Sequence, residues 1–252
     1  MRIFAISDIH IDYPENLNWF NRLSQSDYKD DILILAGDIA DSLSLLEKAF
    51  TDLKNRFLEV LYVPGNHDLW VERIKGINSF EKFALIKNMC DNSGVLIKPL
   101  TMGLLSIVPL LGWYDYSFGA PADELKNTWV DYYVCKWPEN FDQKKITDFF
   151  IAENELFLDI KNKYVITFSH FLPRVDIMPS YIPSEKKRLY PVLGTFRLAE
   201  QILQLEPNIH IYGHSHVKNT SVKNNTTYIN NAYGYPHETW ISEKGLKCIF
   251  EI

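Results

Sequence analysis

Five short polar blocks, each following an apolar run, constrain the fold of this chain more than any other feature. In chain order they read Asp8-Ile9-His10, Gly37-Asp38, Gly65-Asn66-His67-Asp68, Ser169-His170 and Gly213-His214-Ser215-His216. Short apolar runs bounded by glycine or polar residues are typical of buried β-strands. The blocks therefore place carboxylates, a carboxamide and imidazoles at strand ends. A metal-centred hydrolytic site is the simplest explanation for that set.

The hydrophobic pattern predicts strands that alternate with helices. Strand patterns occupy residues 2–7, 31–36, 58–63, 104–108, 164–169 and 209–212, and further β-rich runs occupy 216–222, 226–230 and 247–252. Helical patterns occupy 42–55, 80–92, 146–161 and, more weakly, 194–205. Alternating strands and helices followed by a β-rich end indicate an α/β layered domain.

Length and composition predict one domain with two irregular segments. The 252 residues are 46% hydrophobic and 23% charged, which is enough apolar material for a large core. We expect a single domain over 1–252, with a cap or insertion at 109–140 and a substrate loop at 171–191. The many aromatic rings of 109–140 either stack on a substrate or pack the insertion against the core. Packing is favoured because aromatic side chains are mainly burial residues.

Charge and cysteine content narrow the classes of partner. A net charge of −6 argues against a broad basic face, so nucleic acid is not an expected partner. The three cysteines are scattered without a CxxC pair, which argues against a disulfide framework or a thiolate zinc site. The first apolar run is too short for a signal peptide, and no run is long enough to span a membrane. We therefore expect a cytoplasmic protein.

The spacing of the polar residues predicts two metal ions. Side chains at i and i+2 point to the same side of extended backbone, so Asp8 can share an ion with His10, and His214 and His216 repeat that spacing. Asp38 follows a glycine and has two oxygens with which to bridge two cations. Sorted by chemistry, one ion takes Asp8, His10, Asp38 and His216, and the other takes Asp38, Asn66, His170 and His214.

The ligand types indicate which metals and which reaction to expect. Nitrogen and oxygen ligands without thiolate suit Mn, Fe, Zn, Ni or Co better than Ca or Mg. Two such ions about 3.5–4 Å apart would clamp a phosphoryl group and lower the pKa of a bridging water. The resulting hydroxide would attack phosphorus in line with the leaving oxygen. The oligomeric state is not predicted.

This order of blocks resembles the calcineurin-like metallophosphoesterases. The family pattern D-x-H, G-D-x-x-D, G-N-H-D, H and G-H-x-H reads DIH, GDIAD, GNHD, SH and GHSH here, between Asp8 and His216. The resemblance implies a four-layer αββα sandwich, in which two mixed β-sheets are flanked by helices. It also implies that His67 lies near the substrate without binding metal. There it would stabilise the transition state or protonate the leaving group, oriented by Asp68. A histidine is suited to donate a proton near neutral pH.

The resemblance and the chain positions suggest further supporting residues. By match to the second block, Asp41 orients a ligand, and Asp12 does likewise. Asn66 and His67 are expected to contact the substrate as well. Arg174, four residues past His170, is within reach of a substrate oxygen by position alone.

Departures from known branches narrow the expected reaction. Asp41 is followed by Ser42 and Leu43 rather than by the arginine and glycine of serine/threonine protein phosphatases. His67 stands where the lipid A pathway pyrophosphatases have arginine. The chain is thus most similar to the cyclic-nucleotide-phosphodiesterase-like and general phosphoesterase branch. We expect hydrolysis of a small phosphodiester or phosphomonoester, with a nuclease, a protein phosphatase or a non-catalytic metal-binding scaffold as the alternatives.

Overall fold

Two mixed β-sheets form the centre of the molecule in the computed structural model, which describes residues 1–252. The first sheet has the order β10-β1-β2-β3 and the second β4-β5-β6-β7-β9-β8. The strands are β1 Arg2–Ile6, β2 Ile32–Leu35, β3 Glu59–Tyr62, β4 Leu100–Met102, β5 Leu105–Pro109, β6 Tyr164–Phe168, β7 Ile209–Tyr212, β8 Asn219–Lys223, β9 Thr226–Asn230 and β10 Lys247–Glu251. Strands β1, β2 and β3 run parallel, as do β5, β6, β7 and β9, while β10, β4 and β8 are antiparallel edges.

Helices flank the two sheets, which confirms the predicted α/β sandwich. They are α1 Pro14–Asn21, α2 Leu43–Lys54, α3 Ser79–Ser93, α4 Asp123–Thr128, α5 Asp131–Val134, α6 Gln143–Asn154 and α7 Phe196–Leu205. Helix α2 buries the apolar face that its sequence predicts, including Leu46, Phe50 and Leu53. Helix α3 begins with a capping box between Asn78 and Glu81, which satisfies backbone N–H groups at its start. None of the helices combines the length and the apolar character that a membrane span requires.

Several boundaries differ from the sequence predictions. Helix α1 and strand β4 had no predicted counterpart, although Pro14 at the first helical position is a common start signal. Helix α6 ends at Asn154 instead of continuing to residue 161, because Glu155–Phe157 form a 3₁₀ turn whose side chains are not buried. The predicted strand at 216–222 begins only at Asn219.

The aromatic segment 109–140 supplies part of the core. Trp113 and Tyr114 are fully buried, and Trp113 packs against Phe150 and Phe171. Packing is therefore the role of these two rings, as favoured from the sequence. The segment also holds the short helices α4 and α5, and Trp129 between them is only half-buried.

The two sheets meet beside the first polar block. The Ser7 backbone N–H donates to the Asn231 carbonyl at 3.2 Å, and the Tyr233 N–H donates to the Ser7 carbonyl at 2.9 Å. These bonds link the end of β1 to the segment after β9. The carboxyl ends of the parallel strands from both sheets therefore face one region, and there the polar blocks come together.

Candidate active site

Seven predicted ligands converge in two clusters that share Asp38. Potential ligand atoms of Asp8, His10, Asp38 and His216 all lie within 4.8 Å of one another, as do those of Asp38, His170 and His214. In the second cluster the His170 Nε2 lies 3.3 Å from the Asp38 Oδ2 and 3.2 Å from the His214 Nδ1. The Asn66 Oδ1 lies 3.1 Å from the same His170 nitrogen. The structure thus gathers the residues in the two sets that the sequence predicted.

The first cluster is as tight as the second. The His216 Nε2 lies 3.1 Å from the Asp8 Oδ1 and 3.1 Å from the His10 Nε2. The Asp38 Oδ2 lies 4.0 Å from the His10 Nε2. All these side chains are buried or nearly so.

Three of the imidazole rings are held by a hydrogen bond at the nitrogen that points away from the clusters. Carbonyl oxygens only accept, so the His170 Nδ1 donates to Ala36 at 2.9 Å and the His214 Nε2 donates to Val192 at 3.0 Å. The His216 Nδ1 lies 2.6 Å from the Glu238 carboxylate, which fixes the proton on that nitrogen. The opposite nitrogen of each ring therefore faces the clusters, where it can coordinate a cation once it carries no proton. Metal-binding histidines are held in this way, so the donor set fits metal ions.

Left-handed backbone turns, not extended strands, aim the ligands. The φ angles are 53° at Asp8, 46° at His10, 56° at Asp38, 65° at His214 and 53° at His216. Residues other than glycine rarely adopt this region, and such strain concentrates at functional sites. The extended-backbone argument for the i, i+2 pairs was therefore wrong, although the side chains do converge.

Two glycines make room for the ligands. Gly37 has a φ of 85°, and a Cβ there would lie 2.5 Å from the His170 Nδ1. A Cβ on Gly65 would lie 2.1 Å from the Asp38 Oδ1. A side chain at either position would therefore displace a predicted ligand.

The clustered acids attract positive charge. Burial lowers the pKa of His170, but the Asp38 and Asp8 carboxylates and the Ala36 carbonyl together outweigh it and raise the pKa to about 9. At His216 burial is likewise outweighed by Asp8 and Glu238, and the pKa is about 10. Burial lowers the pKa of His214 to about 3. Protons on two rings therefore supply the positive charge that cations would bring.

A buried carboxylate from the aromatic segment orients Asn66. The Asp131 Oδ1 accepts from the Asn66 Nδ2 at 2.9 Å and from the Trp70 indole N–H at 2.7 Å. Its Oδ2 accepts from the Trp129 indole at 2.9 Å and from the Tyr114 hydroxyl at 3.3 Å. The amide nitrogen of Asn66 is thereby turned outward, so its oxygen faces the second cluster. No sequence pattern pointed to Asp131.

Asp68 has a different neighbourhood from the one expected. Its carboxylate accepts the backbone N–H groups of Asp38, Ile39, Ala40 and Gly65 at 2.8–3.1 Å. It makes no hydrogen bond to the His67 side chain. Asp68 therefore holds the backbone turn that carries Asp38, and the predicted contact that orients His67 was wrong.

His67 lies beside Asp38 without joining either cluster. Its Nε2 is 3.9 Å from the Asp38 Oδ2 and 3.2 Å from the Tyr235 hydroxyl, and its ring stacks on Trp70 at 3.6 Å. Burial and the neighbouring imidazole of His10 lower the pKa of His67 well below 6.5. The ring is therefore neutral at pH 7 in this environment.

The segment after β9 supplies two residues that sequence reasoning missed. Glu238 fixes His216 and also accepts the Tyr235 backbone N–H at 2.7 Å. The Tyr235 ring stacks on His10 with centroids 4.6 Å apart. The only hint in the sequence is their place between β9 and β10, near the neighbouring His237, which is exposed.

The supporting residues proposed from the resemblance and from chain position contact residues outside the two clusters. The Arg174 guanidinium forms a two-pronged ion pair with Asp176 at 2.5 and 2.8 Å, so it is already engaged. The Asp12 Oδ2 accepts the Asp41 backbone N–H at 3.1 Å, and the Asp41 carboxylate pairs with Arg73. The contacts of Asp12 and Asp41 thus stabilise the turn after Asp38. A substrate contact for Arg174 stays a prediction.

Comparison with known sequences identifies the class of protein that this fold and site define. The profile of the calcineurin-like phosphoesterase family matches residues 1–218, so the chain belongs to that family. It is a phosphoester hydrolase, and membership implies divalent metal ions as cofactors, which the Asp/His clusters fit.

Individual proteins are also similar to this chain. The chain is 35% identical over 125 residues to the [acyl-carrier-protein] phosphodiesterase PptH of Mycobacterium tuberculosis, covering 46% of this chain and 38% of that protein. It is 25% identical over 269 residues to the uncharacterized protein L509 of Acanthamoeba polyphaga mimivirus, covering 94% and 93%. The crystal structure of phosphopantetheinyl hydrolase (PptH) from M. tuberculosis shares the fold, with a TM-score of 0.81, 23% identity, and coverage of 98% and 95%.

Proposed function

We propose that this chain is a dinuclear metal-dependent phosphodiesterase that acts on a small phosphodiester. The observation that carries the proposal is the pair of ligand clusters that share Asp38. A carboxylate with two oxygens between two sets of inward-facing imidazole nitrogens is suited to bridge two cations. Mn, Fe, Zn, Ni and Co remain the candidate metals, because the donors are nitrogen and oxygen.

Each ion would have its own ligands. Asp8, His10 and His216 would hold one ion, while Asn66, His170 and His214 would hold the other, with Asp38 between them. When bound, the ions would stabilise charge on the phosphoryl oxygens and lower the pKa of a water between them. Glu238 and Asp131 would keep His216 and Asn66 in their binding orientations.

We assign His67 to the leaving group. Its ring is outside both clusters, yet it lies beside the shared Asp38. A phosphoryl anion bound next to it would raise its pKa, because an opposite charge favours the protonated imidazole. His67 would then donate a proton to the departing oxygen, and Trp70 and Tyr235 would hold the ring in place.

The activity of a relative suggests the first substrate to test. PptH of M. tuberculosis is an [acyl-carrier-protein] phosphodiesterase. We propose a carrier-protein phosphodiester as the leading candidate for this chain, within the wider class of small phosphodiesters.

A comparison of two model esters tests the proposal. Manganese-loaded protein should hydrolyse bis(p-nitrophenyl) phosphate faster than p-nitrophenyl phosphate, and Asp38→Ala should abolish both activities. A faster reaction with the monoester would overturn the diester assignment. No turnover of either ester, with metal content confirmed, would favour the non-catalytic scaffold. Loss of the phosphopantetheinyl mass from a holo carrier protein would then test the leading candidate, beside DNA and phosphopeptide controls for the nuclease and protein phosphatase alternatives.

A further inference from the structure

We infer that an apolar cavity beside the second cluster binds an uncharged aliphatic arm of the substrate. This inference rests on the proposed phosphodiesterase function and specifies one side of its substrate. The cavity has a volume of about 320 Å³, at the lower end of the range for ligand pockets. It is therefore large enough for one arm of a substrate.

The cavity is continuous with the metal-binding residues. His214 belongs to the second cluster, Glu238 holds His216, and both line the cavity. A phosphoryl group placed between the clusters would thus direct one of its ester arms along His214 into the cavity. The remaining wall comes from the aromatic segment, the predicted substrate loop and the stretch after β7 and β9.

The lining favours aliphatic groups over polar ones. The apolar side chains include Met178, Ile182, Leu189, Val217 and Ile241, together with three aromatic rings. Glu238 already accepts from the Tyr235 backbone and from His216, and the Ser215 hydroxyl accepts from the Asn230 amide. The Lys186 ammonium and the Tyr190 hydroxyl are the remaining polar groups of the lining. A sugar or a base would recover only part of its hydrogen bonds to water there, which is unfavourable.

Two tryptophans, Trp129 and Trp240, line the cavity. The Trp129 indole N–H is anchored on the buried Asp131, and its ring meets the edge of His214 with centroids 5.9 Å apart. This wall is fixed to the same carboxylate that orients Asn66. Trp240 also lines the cavity and is 81% exposed, although tryptophan is on average a highly buried residue. An aliphatic arm would cover it.

Binding of n-alkyl phosphates to the manganese-loaded protein tests the inference. Titration calorimetry with methyl, butyl and octyl phosphate should show affinity rising roughly twofold to fourfold per methylene, as burial of apolar surface requires. Leu189→Gln and Trp240→Ala should flatten this dependence and leave methyl phosphate binding unchanged. Leu203→Gln is the matched control, because Leu203 is 55% exposed on α7 and does not line the cavity.

The outcomes separate the two proposals. Equal affinities for the three phosphates, with hydrolysis of bis(p-nitrophenyl) phosphate intact, would overturn the cavity assignment and leave the phosphodiesterase proposal standing. A chain-length dependence that Leu189→Gln and Trp240→Ala leave unaltered would place the arm elsewhere and also overturn it. Failure of methyl phosphate to bind, together with absent hydrolysis, would reject the phosphodiesterase proposal itself.

Discussion

Gly65→Ala should remove the metals while leaving the fold in place. A Cβ at this position would lie 2.1 Å from the Asp38 Oδ1, whereas ordinary contact begins at 3.4 Å, so the oxygen must move by about 1.3 Å. Coordination distances tolerate only about 0.2 Å. The same Cβ would lie 2.7 Å from the Asp38 backbone nitrogen, so the turn must shift as well, and the loss of stability should lie toward the upper end of about 1–3 kcal/mol. The shared ligand, in contrast, would no longer reach both clusters.

The assay is metal content and thermal unfolding of the same samples. After loading with Mn²⁺ and desalting, Gly65→Ala should retain far less manganese than the unaltered protein. Its melting temperature without metal should fall by about 2–12 °C, as expected for a chain of this size. Gly245→Ala is the matched control, because a Cβ there meets no atom within 4 Å. A Gly65→Ala protein that keeps its full manganese content and activity would refute the reasoning.

Three further outcomes are expected. His67→Ala should keep both metals and lose about 10²–10⁴ in rate; loss of metal would show that His67 is a ligand. Glu238→Gln should weaken manganese affinity about 10–100-fold in calorimetry, because an uncharged amide oxygen replaces the carboxylate that supports the His216 ring; unchanged affinity would contradict this. Manganese affinity should rise with pH between about 6.5 and 8.5, because binding must displace protons from His170 and His216, whose pKa values are about 9 and 10. Affinity independent of pH would contradict the ligand assignment.

The sequence predicted most of the fold because its strands are short, buried and bounded by polar blocks. Strands such as β7 Ile209–Tyr212 and β9 Thr226–Asn230 match their predicted ranges. Strand β4 Leu100–Met102 was missed because it is a short antiparallel edge without full burial. Helix α6 was predicted too long because the apolar residues of the following 3₁₀ turn continue its pattern.

The ligand clusters could be predicted from the sequence, whereas the residues that support them could not. Each ligand sits in a local block, so its position relative to a strand end is visible in the sequence. Asp131 contacts Asn66 across 65 residues, and Glu238 contacts His216 across 22. Such pairings depend on the tertiary fold, and no local pattern marks them. The left-handed turns at Asp8 and His10 were missed for the same reason, since long-range backbone bonds to Gly37 and Asp38 stabilise them.

The central claim is that Asp38 lies between two metal ions. Crystals of the protein grown with Mn²⁺ and measured at the manganese absorption edge would test it most directly. We expect two anomalous peaks about 3.5–4 Å apart with the Asp38 carboxylate between them. A single peak, or two peaks that share no ligand, would contradict the account.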